Sequence, residues 1–398
     1  MINTQTEDKK VETLLTKAQV NIIDLAHCGT EEIPHKSVVN KVAQQLQKAL
    51  TEKGFALLVN HGIQEEKLKY AYELLDEFCK LPEDVKEKYL RNGNHNQGYV
   101  KPNHEKFGKS GELRHAFNIC AFAENGELAI PEDPIPGFQA HMADLAKEFT
   151  KLAKFMLQAV AVALNLPHNF FTEKHEHMLS GEDENCTTFR LLYYPPLVED
   201  DGKCELIKGS STYSYQRCAL DRLDIRLDED DETDNAEELL NQNVTRCGPH
   251  CDYGTFTLLA QDSEGGLEVK LPGTEKWQRV GHLPGAILIN TGELLSLWTQ
   301  EKYPALPHRV IIPRQQYIRN RGRHSIAFFC HPDNETNIVP IEPHHTLAYQ
   351  QQEGSSSSTE SIEPTNKNRR KTSLKNAKIK FVNLFQNLQC LSARTKEI

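Results

Sequence analysis

Apolar residues recur at helical spacing in three stretches of the chain. Behind Ser37, a candidate cap, Val38, Val39, Val42, Ala43, Leu46, Ala49 and Leu50 follow the 3.6-residue period, and Gly54 supplies a stop. FALLVNHG comes next and reads as a short buried strand. Leu68, Ala71, Leu74, Leu75 and Phe78 form a second amphipathic run that ends near Leu81-Pro82. The longest run is Phe138, Met142, Leu145, Ala146, Phe149, Leu152, Ala153, Met156, Ala159 and Ala163, closed by Pro167. Between residues 244 and 343 the texture changes to short β-rich runs, GTFTLLA, GGLEVK, GAILIN, HRVIIP and HSIAFFC, separated by Gly and Pro. Such spacing predicts a sandwich, jelly roll or barrel. With the helices gathered upstream, the pattern predicts helices packed on a β core, not alternating βαβ units. No helical pattern follows Gly265-Gly266, so this pair predicts a hairpin turn and not a phosphate loop.

Polarity divides the chain further. Residues 1–20 are polar and predict a flexible N-terminus. Residues 199–243 form an acidic insertion. Its stretch 199–238 holds 14 Asp and Glu against five Lys and Arg, about −9, with DEDDETDNAEE at its centre. A run of like charge without apolar periodicity repels itself and stays solvated. Residues 350–364 are a Ser-rich linker around GSSSSTES. Residues 365–398 carry nine Lys and Arg against one Glu, about +8, and place Leu374, Ala377, Phe381, Leu384, Phe385, Leu388 and Leu391 on one helical face. A basic amphipathic tail of this kind is expected to dock on its own domain, on the acidic insertion, on an acidic partner or on an anionic membrane surface.

Composition narrows the function classes. The 398 residues are 38% hydrophobic, enough for a sizeable core, and carry a net charge of −10. That balance lacks the footprint of a nucleic-acid binder, so none is expected as a partner. No apolar run approaches the ~18 residues of a spanning helix. MINTQTEDKKVE has no apolar signal region, so a cytoplasmic location is expected, with NRRK a weak nuclear-import signal. Ten cysteines without a Cys-x-x-Cys pair read as reduced, mostly structural thiols.

The informative segment is His250-Cys251-Asp252, followed 56 residues after Asp252 by His308. A His and a carboxylate two apart on a strand share a face, and a second His from a later strand completes a three-ligand set. Two imidazoles and one carboxylate leave three positions of an octahedral metal open, the facial arrangement of non-haem Fe(II) oxygenases. Alone, His-x-Asp reads sooner as a turn-capping pair on a loop than as a metal site. Context changes this: His308 opens the alternating run HRVII, and fifteen residues on comes Arg323-His324-Ser325. Arg and Ser on one strand face can grip a carboxylate, as an α-keto acid beside a metal requires. His324, between them, is expected to point away. Cys251 is expected to alternate away from the metal, and a zinc site built on Cys247 and Cys251 lacks further ligands at suitable spacing.

These residues sit in a series of blocks that resembles the iron- and 2-oxoglutarate-dependent dioxygenases of the isopenicillin N synthase-like group. In family order stand GFALLVNHGI, CKLPEDVKEKY, RLLYYPPL, PHCDYGTFTLLAQDSEGGLEV, LPGAILINTGELLSLWTQ, PHRVIIP and RHSIAFFCHP. The resemblance covers roughly residues 20–340 outside the acidic insertion. It implies an α+β fold: a distorted double-stranded β-helix, or jelly roll, flanked by N-terminal and central helices. Residues 21–135 would be the N-terminal dioxygenase region, and 136–345 the oxygenase core, interrupted by the insertion.

The resemblance also implies roles. His250, Asp252 and His308 would bind Fe(II), and Arg323, Ser325 and Tyr194 the distal carboxylate of 2-oxoglutarate. Leu192 stands where the family has Asn, which removes one polar contact near the cosubstrate. Phe329, His331, Arg190, Tyr99 and Phe117 fall in segments that line the family's substrate pocket. The implied reaction consumes 2-oxoglutarate and O2, releases succinate and CO2, and hydroxylates or desaturates a small organic substrate, with ascorbate as an accessory reductant. Two alternatives stay open here: an iron oxidase of the isopenicillin N synthase type that needs no 2-oxoglutarate, and a catalytically silent binding module of the same fold.

Overall fold

The computed structural model describes residues 20–341 and 379–381, apart from residues 27, 31–34, 93–94, 103–105, 108–109, 123–129, 197–198, 201–202, 205–245 and 312–320. The N-terminal stretch, most of the acidic insertion, the Ser-rich linker and all but three residues of the basic tail therefore lie outside the described residues.

The chain opens with strand β1 (Ile22–Asp24), helix α1 (Lys36–Lys53), strand β2 (Phe55–Val59) and helix α2 (Glu65–Lys80). Strands β3 (Gly98–Val100) and β4 (His115–Ile119), the long helix α3 (Phe138–Ala163) and strand β5 (Thr188–Tyr194) follow. The C-terminal half holds β6 (Cys247–His250), β7 (Phe256–Gln261), β8 (Leu267–Lys270), β9 (Trp277–Arg279), β10 (Ile287–Thr291), the short helix α4 (Glu293–Trp298), β11 (His308–Val310) and β12 (Arg323–Cys330).

The periodic runs became helices as expected. One detail differs: α1 is capped by His35, whose Nδ1 accepts from the backbone N–H of Ser37, so Ser37 lies inside the first turn. Gly54 does terminate α1, at φ 73°, a conformation that favours glycine.

Eight strands form one sheet in the order β1-β2-β10-β7-β12-β5-β4-β3, and four form a second in the order β6-β11-β8-β9. Gly265-Gly266 does not make the expected hairpin. The strands it joins, β7 and β8, belong to different sheets, so this turn carries the chain across the jelly roll.

Alternation along the strands separates two apolar regions. On β12, Ile326, Phe328 and Cys330 pack toward the helices with Phe138, Met142, Phe149 and Met156 of α3. Ala327 and Phe329 face the space between the sheets, with Leu267, Val269, Leu288, Leu306 and Val310. The helices close one face of the large sheet, and the other face is left to line a cavity. Among the described residues, no helix is long and apolar enough to cross a membrane.

Residues 379–381 return to this core. Ile379–Lys380, strand β14, pairs antiparallel with β13 (Asn337–Ile338), and Phe381 is fully buried among the helix-side apolar residues. Of the tail's predicted helical face, Phe381 is the residue the structure describes, and the two residues before it form a strand where a helix was expected.

Candidate active site

Strands β6 and β11 bring the two histidines together. In their antiparallel ladder Cys247 faces Val310, whereas His250 faces His308, so three steps on β6 match two on β11. This bulge turns both Cys247 and His250 toward the cavity. The imidazole centroids of His250 and His308 lie 4.3 Å apart. Each ring is held by the carbonyl two residues earlier: Nδ1 of His250 lies 2.8 Å from the oxygen of Gly248, and Nδ1 of His308 lies 3.0 Å from that of Leu306. A carbonyl only accepts, so each Nδ1 carries the proton and each Nε2 presents a lone pair.

Asp252 lies beyond the end of β6, not on the strand as expected. Its position comes from hydrogen bonds. Thr257 Oγ1 donates to Oδ2 at 2.7 Å, Asn290 Nδ2 donates to the same oxygen at 2.8 Å, and the Asp252 carbonyl accepts from the N–H of Glu293 at the start of α4. The other oxygen, Oδ1, lies 3.8 Å from Nε2 of His250 and 3.7 Å from Nε2 of His308. One ligand atom from each of the three residues lies within 4.8 Å of the other two.

Electrostatics agree with a cation site. Burial, together with the neighbouring His308, pushes His250 down to about 3, so its imidazole is neutral and available as a ligand. Burial pushes Asp252 the other way, but the two imidazoles and its two side-chain donors outweigh it and keep the carboxyl ionised. Two imidazole nitrogens and one anionic oxygen, with their outer atoms already bonded, fit a divalent iron-type ion.

Arg323 and Ser325 sit on the cavity face of β12. Arg323 is almost fully buried; its Nη1 donates to Ser325 Oγ at 3.2 Å and its Nη2 to Gln261 Oε1 at 3.1 Å. Tyr194 is the direct cross-strand partner of Arg323, with the guanidinium 5.0 Å from its ring centroid. Burial raises the Tyr194 hydroxyl to about 12, which keeps it a neutral donor. Leu192 faces Ser325 across the same ladder, so its apolar side chain lies beside the clamp. His324 points outward, to Asp76 and Asp262, as the alternation required.

One cavity of about 680 Å³, part of it open to solvent, connects the triad to this clamp. Arg190 and Phe329 line it, together with Tyr194, Arg323 and Ser325. Three expected pocket residues lie elsewhere. Phe117 packs in the helix-side core against Phe78 and Phe138. Tyr99, its cross-strand partner, shares that side, and its hydroxyl lies 2.7 Å from Nδ1 of His115. His331 sits just past the end of β12, against Gly254 and the ring of Phe381. Sequence reading missed Thr257, Asn290 and Gln261, polar residues inside otherwise apolar strands. It also missed Arg114, which lines the cavity while paired to Glu112, and Arg246, buried near the ring of Tyr194. Cys251 is absent from the cavity wall, as expected.

Two imidazoles and a carboxylate at the rim of a jelly roll, beside a buried Arg–Ser pair, define the layout of a mononuclear non-haem oxygenase site. The family model described as the non-haem dioxygenase in morphine synthesis N-terminal region matches residues 20–136, and that of the 2OG-Fe(II) oxygenase superfamily matches residues 186–332. The chain belongs to the 2OG-Fe(II) oxygenase superfamily.

Among its relatives, a 2-oxoglutarate-dependent dioxygenase, htyE, of Aspergillus rugulosus is 26% identical, over 74% of this chain and 82% of its own. A full-length Neurospora crassa protein, solved in complex with alpha-KG, superposes with a TM-score of 0.63 at 23% identity, over 85% of this chain and 92% of that one. A 2OG-Fe(II) oxygenase family protein of Caulobacter crescentus gives 0.64 at 20% identity, over 94% and 99%. The two structures share the fold. The protein is an Fe(II)- and 2-oxoglutarate-dependent dioxygenase, an oxidoreductase acting on a small molecule.

Proposed function

We propose that His250, Asp252 and His308 are the iron ligands and that Arg323, Ser325 and Tyr194 hold the distal carboxylate of 2-oxoglutarate. The cavity floor from Arg190 to Phe329 then receives the organic substrate, which is hydroxylated or desaturated. The observation that carries this reading is the convergence of three ligand atoms within 4.8 Å in the cavity that also holds the Arg323–Ser325 pair.

Iron and its cosubstrate, when bound, supply the oxidising power for attack on an unactivated C–H bond; the chain positions and shields. The carbonyls of Gly248 and Leu306 hold the Nδ1 protons and aim both Nε2 lone pairs at one point. Thr257 and Asn290 occupy one oxygen of Asp252 and leave the other for the metal. Arg323 meets the cosubstrate carboxylate with a fixed charge, and Ser325 adds a hydroxyl. Leu259, Leu288 and Leu306 make the rest of this wall apolar and exclude water.

Succinate release from the full-length protein with Fe(II), ascorbate and 2-oxoglutarate tests the assignment. Release that depends on all three ligands, with a raised KM for 2-oxoglutarate in Arg323→Leu, is expected. O2 consumption indifferent to 2-oxoglutarate would assign the site to a cosubstrate-free oxidase instead.

A further inference from the structure

The described cavity lining carries three guanidiniums, those of Arg114, Arg190 and Arg323, against a single carboxylate, Asp252. Arg323 is the cosubstrate anchor under the reading above, on which this inference rests. Arg114 is ion-paired to Glu112, both side chains nearly buried.

Arg190 stands apart from the anchor. It shares the inward face of β5 with Leu192 and Tyr194, but its partner across the ladder is Ala327, four residues along β12 from Arg323. At ~3.4 Å per residue, this places the two guanidinium-bearing positions about 14 Å apart along the sheet. Across the sheet, β12 lies between β5 and β7, the strand of Thr257, which bonds Asp252. Two ladder spacings, about 10 Å, therefore separate the Arg190 strand from the strand that supports the metal-side carboxylate. The floor between them is made by Ala327, a small residue that leaves room, and Phe329, an apolar ring.

A cation facing an apolar floor of this length selects a ligand with one anionic end and an apolar body. We infer that the primary substrate is a small carboxylic acid, with its carboxylate bound by Arg190, its apolar body over Ala327 and Phe329, and its reacting carbon toward His250, Asp252 and His308. A planar guanidinium suits a carboxylate because it donates two parallel hydrogen bonds.

The test is a calorimetric titration of the full-length protein loaded with Mn(II) in place of Fe(II). Binding of 2-oxoglutarate is recorded first. Phenylacetate, 4-phenylbutyrate and hexanoate are then titrated into the loaded complex, each beside its primary amide. At least one acid is expected to bind at least tenfold tighter than its amide. Arg190→Met should weaken that acid about 10- to 100-fold, the range for a hydrogen bond to a charged group, and Arg190→Lys should recover part of the loss. Equal affinity of acids and amides, no binding by any acid, or an unchanged preference in Arg190→Met overturns the inference. Failure of 2-oxoglutarate itself to bind overturns the parent reading with it, so the two failures are distinguishable. The comparison of acid with amide on the unaltered protein needs no variant and stands even if Arg190→Met does not fold.

Discussion

His250 and His308 are direct cross-strand partners, their ring centroids 4.3 Å apart, and each is anchored by the carbonyl two residues before it. The same short device is used twice, on β6 and on β11, and the ladder between them sets its spacing. A one-residue slip of either strand would send a ring to the opposite face, so strand register and metal site are one constraint. Burial and the facing ring keep His250 neutral, which leaves it a poor site for a proton and a good ligand for a divalent cation.

The first prediction is that ferrous iron stabilises the fold and that His308→Ala abolishes the effect. At one hundred times the dissociation constant, a ligand of the native state adds about 2.7 kcal/mol. Anaerobic melts with and without Fe(II) should show this gain in the unaltered protein and none in the variant. A retained shift in the variant would remove His308 from the ligand set.

Asp252 carries the second prediction. Thr257 and Asn290 both donate to its Oδ2, at 2.7 and 2.8 Å, and so direct Oδ1 to the histidines. Thr257→Val keeps the shape of the strand residue and removes one donor. The expected result is a 10- to 100-fold loss of iron affinity, the range typical of groups that orient metal ligands, with the melting profile of the metal-free protein little changed. Titration with Fe(II) reads it directly, and unaltered affinity would mean that Asn290 alone holds the carboxylate.

Much of this was legible in the chain, for reasons that differ by element. Helices α1, α2 and α3 bury one long stripe each, so their periodicity survives in the sequence. On β12 the inward series Arg323, Ser325, Ala327, Phe329 alternates cleanly with Ile326 and Phe328, and clamp and pocket could be read from it. Strands β3 and β4 are buried throughout, so nothing in their pattern says which side is which, and Tyr99 and Phe117, expected at the pocket, face the helices. Asp252 was expected on a strand because its spacing from His250 fits one; hydrogen bonds to Thr257, Asn290 and Glu293 place it past the strand end instead. Thr257 and Asn290 are polar residues at inward positions of apolar strands, a signal that the sequence does carry. The β6 bulge leaves no such trace.

Phe381 gives the third prediction. Its backbone N–H donates to the Thr336 carbonyl at 2.9 Å, and its ring is fully buried beside His331, which in turn packs against Gly254, two residues from Asp252. Removing a fully buried phenylalanine ring typically costs about 3 to 5 kcal/mol, through lost burial and the cavity left behind. Phe381→Ala should lower stability toward urea by that amount. A change below about 1 kcal/mol would mean that the segment is dispensable to the core.

The last prediction concerns pH and His324, the residue between the two clamp side chains. On the outer face of β12 its Nε2 lies 2.8 Å from Oδ1 of Asp76 and its Nδ1 3.4 Å from Oδ2 of Asp262, and its ring stacks on Tyr193 and Tyr72. Its backbone N–H donates to the same Asp262 carboxylate. Burial alone would lower its pKa, but hydrogen bonds and charge from Asp262 and Asp76 outweigh burial and lift it to about 8. A basic group whose folded value is raised stabilises the fold fully below its unfolded pKa, and the contribution fades as pH rises through the folded one. The rise from 6.5 to about 8 corresponds to about 2 kcal/mol, present at pH 6 and gone by about pH 9. His324→Gln cannot carry the charge. Urea denaturation should therefore show the unaltered protein ahead of the variant by about 2 kcal/mol more at pH 6 than at pH 9. A difference independent of pH would mean that the imidazole is held by stacking on Tyr193 and Tyr72, with the two carboxylates contributing nothing.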